Sequence, residues 1–327
     1  MDILDRLGLE VPVVQAGMGG GISRAELAGA VSAAGGLGTV GILPAASLRR
    51  ELRGAGERAP GRPVAVNLLM PFVTRDHVDV CVEVRPAVAV LFCGYDAQLV
   101  ARLRGAGTIV LHQVGSVAQA DRALADGADG LIVQGVEAGG HVLAERPLAE
   151  VLPAVRAVAA DRPVLAAGGM CTSSDARAAL TSGADAVVAG TRFLLTRECG
   201  AHPAYQQRVL QAERTVLTRL FGLGWRDPHR VVVNEAVRRW CRPDGREREL
   251  PRLLSRVTLP VARRVPVSQA GRMARMQRLG VPLFSPAALL RGEADRLVEV
   301  TPLYAGAAVG RINDLMDAAD AVRALAP

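Results

Sequence analysis

The stretch Val133 to His141, VQGVEAGGH, places a glycine break, a Gly-Gly pair and a histidine behind a short apolar run. A glycine pair lets backbone approach a flat ligand closely, because no Cβ intervenes. A histidine at the end of such a turn can accept or donate a proton near neutral pH. Other glycine-rich stretches share this character. Ala16-Gly17-Met18-Gly19 could lie against a planar ring, and Asn67 in VAVNLLM could offer an amide to a heterocycle. Ala167-Gly168-Gly169-Met170 and Ala189-Gly190-Thr191-Arg192 offer unhindered backbone N–H groups and a hydroxyl, as anion binding requires.

These segments need elements to position them, and the chain supplies a regular alternation. Apolar, β-branched runs predict strands at Pro12–Ala16, Leu37–Leu43, Val64–Met70, Ala87–Phe92, Thr108–Gln113, Gly130–Gln134, Pro163–Ala167 and Ala186–Ala189. Amphipathic segments such as Ser23–Ala34, Ser116–Asp126, Leu148–Ala160 and Ser173–Ser182 fall between them, with Ser23, Ser116 and Ser173 as expected capping residues. Eight such units before residue 195 predict an α/β fold, a (β/α)8 TIM barrel. An open doubly wound sheet fits less well: Gly17-Met18-Gly19-Gly20-Gly21 lacks G-x-G-x-x-G spacing and the acidic residue about 20 positions later. Beyond Phe193 the alternation stops, and the Arg-rich stretch shows helical periodicity. The expected organisation is a barrel over 1–199 and 296–327, with a helical subdomain over 200–295 covering its mouth and a last helix over Ile312–Leu325. In such barrels chemistry sits at the C-terminal strand ends and phosphate binds after strands seven and eight. The glycine turns after those two strands, with a planar ring near Gly139–His141, suggest FMN.

Composition narrows the function class. Half of the 327 residues are hydrophobic, yet no apolar run reaches the roughly 18–20 residues of a membrane span. The start MDILDRLGLE does not read as a signal peptide, so a cytoplasmic location is expected. Five cysteines form no C-x-x-C pair, which favours reduced thiols over disulfides or zinc, and His77, His202 and His229 are scattered without metal spacing. There is no lysine, so the net charge of +7 rests on arginine. That bias follows codon composition, or else affinity for anionic substrates or an acidic carrier protein. Nucleic acid is disfavoured by an aromatic content of 3%, which leaves few stacking platforms.

At this point the motifs carry a resemblance. VVQAGMGGGIS, VAVNLLM, VQGVEAGGH, VLAAGGM and VVAGTRFLLTRE, followed by ERTVLTRLF, PHRVVVNEAV and PLYAGAAVGRI, resemble the nitronate monooxygenase family, FMN-dependent (β/α)8 enzymes. The resemblance implies FMN contacts from Met18, Asn67, Gln134, Gly139, Gly169, Ala189, Gly190 and Thr191. It implies His141 as the catalytic residue, abstracting the α-proton of a nitroalkane or stabilising the anion, with O2 as co-substrate. Three departures stand out: Ala16-Gly17-Met18 where the family has Ala-Pro-Met, Val142-Leu143 after the histidine, and Gly306-Ala307-Ala308 where a polar side chain is usual. His112 and Tyr304 are weaker substrate candidates. Arg192 is expected to pair with a carboxylate rather than phosphate, and Cys171 lacks a base that would make it a nucleophile. Two other functions compete. One is an FMN-dependent enoyl-acyl-carrier reductase using NAD(P)H, whose acidic carrier would suit Arg214, Arg219, Arg226 and Arg230. The other is a flavin-free scaffold.

Overall fold

Short β-branched and apolar runs become strands here because each is buried on both faces, inside by the other strands and outside by helices. A computed structural model describes residues 3–223, 225, 227–262 and 270–327. Its strands are β1 (Val13–Gln15), β2 (Gly38–Val40), β3 (Val64–Leu69), β4 (Val88–Phe92), β5 (Ile109–Val114), β6 (Gly130–Gln134), β7 (Gly140–His141), β8 (Val164–Ala167), β9 (Ala186–Ala189), β10 (Thr215–Thr218) and β11 (His229–Val232). Eight of them pair in the order β1-β9-β8-β6-β5-β4-β3-β2, all parallel. The bridge from Val14 to Leu37 brings β1 back to β2 and closes the ring. This is the (β/α)8 barrel that the alternation predicts.

Strand periodicity of two sorts the side chains into layers. Val14, Ala65, Val90, Leu111, Ile132, Leu165 and Val188 point inward and fill the barrel. Their neighbours Val13, Val133, Val164 and Val187 point outward and pack under the helices. The polar residues one step further along the inward rows, Asn67, Gln113 and Gln134, therefore open into the C-terminal mouth.

Local signals differ from expectation at several ends. Ser116 does cap its helix, accepting the Gln119 N–H at 3.3 Å. Ser173 is instead the first helical residue, and Thr172 with Asp175 forms the capping box. Ser23 caps nothing: it lies buried, donates to the Thr39 carbonyl and accepts from Gln15 Nε2, tying β1 to β2. The last helix runs over Ala318–Leu325, not from Ile312. Residues ahead of it are held extended, because Met316 bridges Thr196 and Asp314 pairs with Arg192.

The segment 200–295 is not helical throughout. It carries helices at Pro203–Leu210, Glu235–Trp240, Glu249–Ala262 and Ala270–Met276, and also β10 and β11. Those two strands pair antiparallel, and β11 pairs in turn with β7, placing His229 opposite His141. Runs of four residues are too short to show strand periodicity among arginines. β10 and β11 are neighbours in sequence, but the second partner of β11, β7, lies some 90 residues away, beyond any local signal.

Candidate active site

A cavity of about 820 Å³ opens at the C-terminal ends of the barrel strands. Its floor is the inward row just described, and Leu223, Trp225, Met273 and Ser285 form part of its wall. The inserted segment thus contributes directly to the site.

The loop from Gly135 to Leu143 is fixed from many sides. Gln134, inward-facing at the end of β6, donates to the His141 carbonyl at 2.9 Å and accepts the Leu143 N–H at 2.9 Å. Val136 donates its N–H to the Arg146 carbonyl, and its own carbonyl receives the Arg230 guanidinium at 3.1 and 2.7 Å. Glu137 accepts the Leu148 N–H at the start of the next helix. The Glu137 carbonyl accepts the Ala307 N–H, and Val142 donates to the Pro228 carbonyl. Gly139 lies so close to Ala305–Gly306 that a Cβ would come within 2.6 Å of that backbone. The turn Gly306-Ala307-Ala308 therefore works through main-chain packing, and Gly306 N–H donates to Thr191 Oγ1 at 2.9 Å.

His141 lines the cavity on one side and meets rings on the others. Trp225 lies 4.4 Å away between centroids, tilted 33°, and Trp225 is stacked in turn on Phe72 at 5.6 Å. His229 and Tyr304 stand at 5.6 Å each. The surrounding protein pushes the His141 pKa down to about 4, since burial disfavours the imidazolium. Its Nδ1 is sealed and unpartnered, so the ring edge that meets the cavity is the Nε2 side. His229 is fully buried and held well below the usual histidine range by burial and by its neighbour His141. The Phe221 N–H donates to its Nε2, leaving the proton of the neutral ring on Nδ1.

Met18, Asn67, Gln134, Gly139, Gly169, Gly190 and Thr191 all reach the cavity. Among the described residues no acceptor takes the N–H of Gly169, Gly190 or Thr191. A Cβ at Gly169 would meet nothing within 4 Å. Open, unsatisfied donors beside a cavity of this size suit the phosphate and ring of FMN. Ala189 departs from expectation: its side chain packs in the outer layer, and its carbonyl accepts the Ala16 N–H. Strand alternation turns it away from the mouth.

The same alternation corrects His112. It points outward, stacks on Tyr95 at 4.7 Å and bonds the Gly94 carbonyl through Nε2. Gln113, the next residue, is the one that lines the cavity. Tyr304 does line it, with its hydroxyl donating to the Pro286 carbonyl at 2.7 Å. Arg192 pairs with Asp314 as expected. Arg230 does not face solvent for a carrier, because it holds the Val136 carbonyl; Arg226 lies outside the described residues. The Cys171 thiol is pushed up to about 11 by burial, consistent with an unreactive cysteine. His77 and His202 serve helix N-termini. Trp225, Phe72 and His229 are not legible as site residues in the sequence, since nothing in their local context marks them.

Among the described residues no helix is long and apolar enough to cross a membrane, and no cluster of potential metal ligands forms. A relative from Mycobacterium tuberculosis, (3aS,4S,5R,7aS)-5-hydroxy-7a-methyl-1-oxo-octahydro-1H-indene-4-carboxyl-CoA dehydrogenase, is 37% identical over 246 residues, 72% of this chain and 66% of its own length. The chain thus spans just under two thirds of that relative. Nitroalkane oxidase from Streptomyces ansochromogenes superposes with a TM-score of 0.77 at 28% identity, covering 98% of this chain and 96% of that one. FabK from Thermotoga maritima gives 0.75 at 25% identity, covering 99% and 94%. A family model described as nitronate monooxygenase matches residues 3–76 and 63–326. With that match running through the barrel, the glycine turns and the histidine loop, the chain belongs to the nitronate monooxygenase family.

Proposed function

We propose that this protein is an FMN-dependent oxidoreductase that oxidises alkyl nitronates, such as propionate 3-nitronate, with O2. The observation that carries this reading is His141: a neutral imidazole, packed among rings, presented to a cavity that Gly169, Gly190 and Thr191 also line, with N–H groups that no acceptor takes among the described residues. Gly169, Gly190 and Thr191 would hold the phosphate of FMN, and Met18, Asn67 and Gly139 would meet its ring. When bound, FMN supplies the capacity to take electrons from a carbanion and to react with O2.

The residues decide between two roles for His141. A base with its pKa near 4 takes a carbon-bound proton poorly, because proton-transfer efficiency follows base strength. A sealed Nδ1 without an acceptor favours the tautomer protonated on Nε2, since a buried unpaired N–H is the rarer defect. In that tautomer Nε2–H donates to an oxygen of a substrate that arrives already ionised. The surrounding rings exclude water, so the hydrogen bond is made in a low-dielectric site.

The test begins with purified, yellow holoenzyme mixed anaerobically with a nitronate and, separately, with NADPH. Reduction by the nitronate, and turnover that favours nitronates over neutral nitroalkanes, are expected. His141→Ala should keep FMN and lose about 10–100-fold in kcat/KM on nitronates, the range for one hydrogen bond to a charged group. Bleaching by NADPH with no response to nitronates would sink the assignment.

A second reading is favoured by the likeness to a carboxyl-CoA dehydrogenase and to FabK, together with Arg24 and Arg50 at the cavity wall. It is oxidoreduction of an acyl thioester on coenzyme A or an acidic carrier protein, with NAD(P)H as partner. The NADPH arm of the same experiment separates it.

A further inference from the structure

The glycine turn after β8 is held from outside the cavity. Gly168 and Gly169 both take positive φ, at 125° and 73°. Two such glycines in succession have wide conformational freedom, so donors placed on them need an external hold. Arg311, near the C-terminal end of the chain, supplies one. Its Nη2 donates to the Gly169 carbonyl at 2.9 Å, and its two Nη atoms grip the Asp175 carboxylate at 2.9 and 3.1 Å. Asp175 in turn accepts the N–H groups of Cys171 and Thr172 at 3.0 and 2.9 Å, and the Thr172 hydroxyl as well. One guanidinium thus ties residues 169–172 to the first turn of the helix Ser173–Thr181. Arg311 itself is half-exposed and is not part of the cavity wall, whereas Gly168, Gly169, Met170 and Cys171 are. In a trans peptide the carbonyl and the next N–H point to opposite sides, so the grip on Gly169 also sets the direction of the Met170 N–H. That N–H, like the one on Gly169, meets no acceptor among the described residues.

We propose that Arg311 is a positioning residue for an anion site: it holds the Gly168-Gly169-Met170 turn in the form that keeps its N–H groups free for the phosphate of the cofactor. The inference rests on the FMN reading and concerns how this chain keeps the phosphate site formed. A second effect works in the same direction. The turn needs the Asp175 oxygens to take the Cys171 and Thr172 N–H groups, and so it carries a negative charge of its own. Left alone, that charge would oppose a phosphate. The paired Arg311 offsets it, and a two-pronged guanidinium–carboxylate pair fixes geometry as well as charge.

FMN and riboflavin differ by the phosphate alone, and the test compares them on the full chain, freed of flavin and reloaded. Arg311→Ala should weaken FMN about tenfold, one hydrogen bond's worth, and leave riboflavin affinity unchanged. Hydrogen exchange at the amides of residues 170–172 should quicken in the same variant, because the turn loses its hold. Arg311→Lys keeps the charge and much of the reach without the planar fork, and should fall between Arg311→Ala and the wild type in both readouts. Equal loss of both flavins marks general damage to the fold and overturns the proposal. A loss confined to FMN with exchange at the wild-type rate marks attraction by charge alone and overturns the positioning role. Those two results leave the phosphate site standing and remove only the part given to Arg311. A wild-type chain that holds riboflavin as tightly as FMN refutes the phosphate site itself, and the proposal with it.

Discussion

Gly17 stands where the family usually carries proline, and the structure gives the substitution a measurable consequence. A Cβ at Gly17 would lie 2.2 Å from Asn67 Cβ, 2.9 Å from Asn67 Cγ and 3.0 Å from Thr39 Cγ2. Carbon atoms settle at about 3.5–4.0 Å, so Gly17→Ala must push β1 and β3 apart by more than an ångström or swing Asn67 aside. Overpacking of this kind costs about 1–3 kcal/mol. Displacing the Asn67 amide should also weaken FMN about tenfold, one hydrogen bond's worth. The cause can be isolated by changing the partner. Asn67→Gly removes the Cβ that is struck, so Gly17→Ala should be nearly free in that background, apart from a few tenths for Thr39. Asn67→Ala keeps the Cβ, and most of the penalty should persist. Urea unfolding of the wild type, the three single variants and the two doubles gives the coupling energy, expected at about 1–3 kcal/mol. Equal cost of Gly17→Ala in all three backgrounds would refute the clash and return Gly17 to ordinary turn chemistry.

Two further outcomes are expected. Because the His141 pKa falls to about 4 in the native protein, the unfolded chain protonates first as pH drops through its ordinary 6.5. Stability is then complete above about 6.5 and declines toward 4, by up to about 3 kcal/mol from this residue. Thermal midpoints across that range should slope less in His141→Gln than in the wild type, and identical slopes would contradict the assignment; His229 adds a slope of the same sign to both. Gln134→Ala frees the loop at the His141 carbonyl and the Leu143 N–H. It should lower kcat about 10–100-fold and speed amide exchange over residues 135–143 while FMN is retained; loss of FMN instead would make Gln134 a cofactor contact first.

The barrel is legible in the sequence because its signals are local. Each βα unit announces itself through an apolar run, a glycine and an amphipathic stretch, and parallel strands buried on both faces need little more. The cofactor-facing turns follow from where a barrel puts its strand ends. Orientation and distance are harder to read. Position along the strand puts His112 and Ala189 at the mouth, whereas the pleat turns one residue in and the next out, and Gln113 and Gly190 take those places. Trp225 and His229 escape a sequence reading because their significance lies in pairing. His229 opposes His141 only through β11 and β7, and no periodicity within the segment encodes that partner.

The departure at the Gly306-Ala307-Ala308 turn can be read at this level. The polar side chain absent at Gly306-Ala307-Ala308 is not needed to hold the turn, since Thr191 Oγ1 and the Glu137 carbonyl take its N–H groups. A side chain at Gly306 would press on the Glu137 carbonyl, with a Cβ at 3.1 Å, and the Gly139 loop would have to retreat. The histidine would retreat with it, because β7 begins at Gly140. Gly139 and Gly306 thus let the loop and the turn meet backbone to backbone, with β7 and His141 directly behind the contact. Against that loop the ring of Trp225 enters from the inserted segment, 4.4 Å from the His141 ring. The position of His141 thus depends on more than the glycine loop: the three-stranded sheet β10-β11-β7 joins that loop to the insertion and sets His229 opposite it.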